Sequence, residues 1–104
     1  MIDELIWTQG ATSDLQEVYE RLEERREGLG EEILTELDGK IGLLKLFPEM
    51  AKRYTRRVRR LLFSRRRDFG LFYAINGRRL IVVAVADLRQ DPESIARLLK
   101  QRGV

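Results

Sequence analysis

The chain has 104 residues and a mass of 12.2 kDa, the size of one domain of about 100–200 residues. Hydrophobic residues make up 43%, which excludes wholesale disorder, whereas a charged fraction of 36% confines the core to a small one. With no cysteine and no histidine, disulfides, thiol nucleophiles, the usual Cys/His zinc sites and every mechanism with a histidine base are excluded.

Ile2 to Trp7 reads as a short strand whose early charges place it at a sheet edge. Thr8 is positioned to cap a helix directly after it, and Ser13 with Gln16 offers a competing capping box. In either case Leu15, Val18, Tyr19 and Leu22 form one buried helical stripe, and Gly28-Leu29-Gly30 stops the helix. A second helix is predicted from about Glu31 to Phe47, with Ile33, Leu34, Leu37, Ile41 and Leu44 as its apolar seam and Pro48 as its stop. Gly39 and Gly42 weaken that helix by roughly 1 kcal/mol each relative to alanine, so their expected use is to admit another backbone.

After Pro48 the period shortens. Residues 57–63, 69–76 and 79–87 read as three strands, with Asn76-Gly77 as a type I′ hairpin turn between the last two. The last two strands are apolar on both faces, so they are covered on both sides or await a partner on one. Asp91-Pro92 starts a final helix with Ile95, Leu98 and Leu99 as its stripe, and Gly103 ends it. The expected fold is α+β, in the order β-α-α-β-β-β-α, with an antiparallel helical hairpin packed on an antiparallel sheet in a single domain spanning residues 1–104. The longest apolar run, Leu80 to Ala86, is far short of the roughly 20 residues of a membrane helix. Met1-Ile2-Asp3-Glu4 lacks the positive charge that opens a signal peptide. The expectation is a soluble, cytoplasmic protein with no membrane partner.

The net charge of +3 conceals a strong asymmetry. Residues 1–50 carry 13 acidic and 5 basic side chains, whereas residues 51–79 carry 11 basic side chains and the single acid Asp68. Sixteen of the 20 basic residues are arginine, whose planar fork suits phosphate and carboxylate. The blocks Lys52 to Arg60 and Arg65 to Arg67 therefore read as a footprint for an anionic partner: RNA, DNA or an acidic protein segment. The competing reading is internal, the acidic helices neutralising the basic strands.

Trp7-Thr8-x-x-Ala11-x-x-Asp14-Leu15-x-x-x-Tyr19 resembles the opening of the RelE/ParE superfamily of bacterial type II toxins. The resemblance continues through Leu46-Phe47-Pro48, Val58-Arg59-Arg60-Leu61-Leu62, Leu71-Phe72-Tyr73-Ala74-Ile75 and Arg89-Gln90-Asp91-Pro92-Glu93. It implies a toxin, ParE-like in type, neutralised by a cognate antitoxin whose acidic, amphipathic C-terminal segment wraps it. No cofactor and no metal are implied. One branch of the superfamily cleaves mRNA on the ribosome by acid–base chemistry; the ParE-like branch poisons DNA gyrase by binding. Carried over residue by residue, Arg89 matches the arginine after the last strand, and Arg57 and Arg59 fall near the lysines of the nuclease type. That type's central-strand arginine falls on Gly70 and its C-terminal tyrosine on Ile95, which leaves Tyr54 or Lys52 to move protons. The incomplete set favours gyrase inhibition over ribosome-dependent mRNA cleavage, and both over a degenerate module that binds only antitoxin or nucleic acid. Arg57, Arg59, Arg60, Arg65, Arg66, Arg67 and Arg89 are the expected contacts to target or antitoxin. An acidic segment is expected to lie on the apolar strands and to pair its carboxylates with Arg59, Arg60 and Arg65 to Arg67.

Overall fold

A computed structural model describes residues 1–104. Its elements are β1 (Glu4–Trp7), α1 (Gln9–Arg25), α2 (Leu29–Leu46), β2 (Lys52–Arg53), β3 (Arg59–Phe63), β4 (Phe69–Asn76), β5 (Arg79–Asp87) and α3 (Pro92–Gln101). One five-stranded sheet runs β1-β5-β4-β3-β2. The three expected later strands, β3 to β5, are antiparallel as expected; the two-residue β2 was not expected and adds an antiparallel edge to β3, and β1 joins β5 in parallel, so the sheet is mixed. The reason is topological: the α1–α2 hairpin and the meander together return the chain to β1's side, and the free edge of β5 then runs in the same direction as β1.

Thr8 wins the capping competition: its Oγ1 accepts the Ala11 N–H at 3.1 Å. The helical corner differs from the expected one. α1 stops at Arg25 and α2 starts at Leu29, with Gly28 at φ 87° between them. The Glu23 carboxylate accepts the N–H groups of Gly28 (3.2 Å) and Gly30 (2.6 Å), satisfying donors that the start of α2 leaves free. A Cβ on Gly30 would lie 2.7 Å from the Tyr19 ring, so glycine sets the close packing of α2's first turn on α1.

Two further local expectations are corrected. Residues 57 and 58 belong to the β2–β3 turn, because the Thr55 hydroxyl accepts the N–H groups of both Arg57 and Val58. In the β4–β5 hairpin Asn76 pairs with Arg79, so Gly77 and Arg78 are the central residues. Only Gly77 has positive φ, at 63°, which is the glycine-first pattern of a type II′ turn rather than Asn-Gly type I′.

The sheet is covered on both faces. The larger core lies under the α1–α2 hairpin and joins Val18, Leu22, Leu37 and Leu44 to Phe63, Leu71, Tyr73 and Val82. The smaller one places Ile95 and Leu99 of α3 over Phe72, Val83, Ala84 and Ala86. A bulge opposite Phe72 and Tyr73 turns Val83 and Ala84 both toward α3.

Candidate functional site

Charge is sorted by place. Five ion pairs link Arg26 with Glu32, Arg78 with Asp3, Arg79 with Glu4, Arg89 with Asp87, and Arg102 with Asp14. None involves residues 52–67, which hold nine basic side chains and no acid. Internal ion pairs therefore engage Arg26, Arg78, Arg79, Arg89 and Arg102 and leave this segment cationic.

The β2–β3 corner gathers much of that charge. Arg53, Arg56, Arg57 and Arg59, with Glu49, Tyr73, Ala74 and Ile75, line a cleft of about 490 Å³. Tight local bonding sets their directions. Arg53 Nη1 donates to the Arg56 carbonyl at 2.8 Å, and Tyr54 N and Thr55 N both donate to the Val58 carbonyl, leaving Arg56 and Arg57 exposed at the tip. Arg59 is fixed instead: its Nη1 donates to the carbonyls of Glu49 (3.1 Å) and Ala51 (2.8 Å). The Tyr73 hydroxyl donates to the Pro48 carbonyl at 2.6 Å, and burial pushes that phenol's pKa up. The segment after α2 is thus pinned to the sheet from two sides.

Lys52 is exposed on the edge strand. Tyr54 packs edge-on against Phe72, ring centroids 5.1 Å apart, beneath the Arg60 guanidinium at 5.2 Å. Arg65, Arg66 and Arg67 occupy the exposed β3–β4 turn, in which Ser64 and Arg67 take the left-handed conformation at φ 81° and 56°. Glu36 holds that turn by accepting the Ser64 N–H, and Ser64 Oγ accepts the Asp68 N–H at 3.0 Å. Arg65 and Arg66 share a second cleft of about 380 Å³ with Arg25 and Arg26 at the tip of the helical hairpin.

Arg89 lies apart from all of these. Its Nε and Nη2 grip Asp87 at 3.0 and 2.7 Å, which holds that carboxyl's pKa below the ordinary value and raises the guanidinium's. Asp87 pairs with Phe69 and Arg59 with Tyr73, so the Asp87 and Arg59 positions are separated by about 13 Å of strand at ~3.3 Å per residue, and Arg89 lies two residues beyond Asp87. Arg53, Arg57 and Arg59 are brought together; Arg89 is not among them.

Sequence reasoning missed a junction that organises the far side of the molecule. Pairing with β1 ends at Val82, which leaves the edge of β5 open beyond it. Asp14 accepts the Val85 N–H at 2.9 Å, and Arg102 Nη1 donates to the Val83 carbonyl at 3.0 Å. Arg102 also forks onto both oxygens of Asp14, joining α1, β5 and the end of α3. Gly10 makes room for it, since a Cβ there would lie 2.9 Å from the guanidinium carbon.

The profile of the family described as ParE toxin of the type II toxin–antitoxin system parDE matches residues 5–92, and the chain belongs to that family. No curated protein matches the sequence. Among solved structures, the chain is similar to one of the chromosomal ParDE toxin–antitoxin system from P. aeruginosa, with 17% identity and a TM-score of 0.69, covering 85% of this chain and 97% of that one. No helix is long and apolar enough to cross a membrane.

Proposed function

We propose that this toxin acts in the cytoplasm by binding, as an inhibitor of DNA gyrase, and that a cognate antitoxin with an acidic, amphipathic segment neutralises it. The observation that carries the reading is the placement of α3. It covers Phe72, Val83, Ala84 and Ala86, so that face of β4 and β5 is core rather than an open platform for RNA. Acid–base cleavage needs a proton acceptor, a proton donor and cations around a single phosphate. Here Arg89 is closed onto Asp87 at one end of β4, while Arg53, Arg57 and Arg59 gather at the other. Tyr54 is packed between Phe72 and Arg60. A cleft with four guanidinium groups and one carboxylate is better suited to docking on an anionic surface.

The test is a supercoiling and cleavage assay with purified toxin. Loss of supercoiling at micromolar toxin, relieved by the antitoxin, is the expected result. Unaffected gyrase, with cleavage of mRNA on programmed ribosomes, would assign the chain to the nuclease type.

A further inference from the structure

The meander was expected to offer apolar strands to an acidic segment, but both of its faces are covered by the protein's own helices. The exposed apolar surface lies elsewhere. Leu43, Leu46, Phe47 and Met50 are 48%, 50%, 61% and 47% exposed, and together with Met1 they are the large hydrophobic residues left in solvent. Leu43 and Leu46 lie three residues apart on the last turn of α2, and Phe47 and Met50 follow in its C-cap and the turn beyond, where the Met50 N–H donates to the Phe47 carbonyl. Gly39 and Gly42 lie one turn earlier on the same outward side, with nothing within 4 Å of a Cβ built on either. The close backbone approach expected at these glycines is therefore made by no part of this chain.

This apolar patch runs directly into the arginine cleft. Glu49 is one wall of that cleft, and the Arg59 bonds to the Glu49 and Ala51 carbonyls tie the patch's end to the cleft's floor. Apolar side chains and open glycines thus adjoin Arg53, Arg56 and Arg57, which have no carboxylate partner. We infer that the outer face of α2 from Gly39 to Leu46, with Phe47 and Met50 just beyond it and this cleft, is the docking site of an amphipathic acidic helix of the antitoxin. Its small and apolar residues lie on Gly39, Gly42, Leu43 and Leu46, and its carboxylates reach Arg53, Arg56 and Arg57. This rests on the toxin–antitoxin reading and moves the contact from the meander to α2. Charge complementarity selects the occupant. A second copy docked through the same patch would set arginine against arginine, and a nucleic acid backbone has no use for four exposed apolar side chains.

The experiment uses the whole toxin with the antitoxin of its own operon, measuring affinity at low and high salt and amide exchange in the free and bound states. Leu46→Asp is expected to weaken binding at least tenfold at both salt concentrations. The Arg56→Glu, Arg57→Glu variant is expected to weaken it at low salt and to flatten the salt dependence. Amides of residues 39–50 should gain protection on binding. Both variants lie at exposed positions, and an unchanged melting temperature verifies their folding. Antitoxin binding that neither variant alters, with protection elsewhere, would overturn this site while leaving the toxin–antitoxin reading intact. Absence of any binding by the wild-type chain would overturn both. A concentration-dependent dimer of free toxin that protects residues 39–50 and is abolished by Leu46→Asp would assign the face to a second copy instead.

Discussion

Two sets of arginines do different work in this molecule. On the side formed by β1, β5 and α3, Arg78, Arg79, Arg89 and Arg102 each meet a carboxylate, and Arg102 also bonds the Val83 carbonyl. At the β2–β3 corner, Arg53, Arg56 and Arg57 meet none. The first set is engaged within the fold and the second is left without a carboxylate. The distinction follows from where each lies: Arg78, Arg79 and Arg102 join chain segments distant in sequence and Arg89 closes onto its neighbour Asp87, while the unpaired ones stand on or beside a turn whose backbone already satisfies itself.

The contrast can be broken most severely at the Asp14–Arg102 junction. Asp14→Ala strands a partly buried guanidinium and the Val85 N–H, and is expected to cost about 2–3 kcal/mol. In a domain of this size that is a fall of roughly 10–15 °C in melting temperature, readable by calorimetry, with Asp14→Asn milder because it keeps an acceptor. Next in size is Tyr73→Phe, which leaves the Pro48 carbonyl without its donor and should cost about 1–2 kcal/mol in urea unfolding. Arg60→Ala removes the cation over Tyr54 and should cost about 0.5–1 kcal/mol.

The Asp87–Arg89 pair should contribute less still, because Arg89 is largely exposed. The sign of its pH dependence is set by Asp87, whose pKa is lower in the folded state than the ordinary 3.8, first through its side-chain bond with Arg89. The stabilisation is present above the ordinary value and is lost as pH falls through the folded value. Arg89→Ala should therefore return the Asp87 titration, followed by carboxyl NMR, toward its ordinary position and remove that acid-range contribution. Smallest for the fold is Arg56→Glu with Arg57→Glu, expected to change stability by less than about 0.5 kcal/mol while reducing toxicity and antitoxin affinity.

Much of the architecture was legible because its signals are local. The bounds of β4 and β5 coincide with apolar runs that end at turn residues, and the Thr8, Asp91 and Pro92 signals mark the starts of α1 and α3. The parallel pairing of β1, the bulge at Val83 and the Asp14–Arg102 junction were not legible, since each is decided by contacts between distant parts of the chain. One signal was available: Asp14 sits beside the buried positions Ala11 and Val18 on α1, and a carboxylate there needs a partner. The cationic segment was visible as composition, but composition does not say which arginines find carboxylates. Leu46 and Phe47 looked like the ordinary end of a helix, and only the packing shows that they face solvent.

The proposed mode of action, binding to gyrase rather than cutting RNA, rests on the free arginines and the covered sheet face. Pulse labelling of DNA and protein synthesis immediately after induction, with antitoxin co-expression as the rescue, tests it most directly. A gyrase-binding toxin stops DNA synthesis first, and cells filament while translation continues. Translation that stops at once while DNA synthesis persists would contradict it, and would make Tyr54 and Arg89 the first residues to substitute.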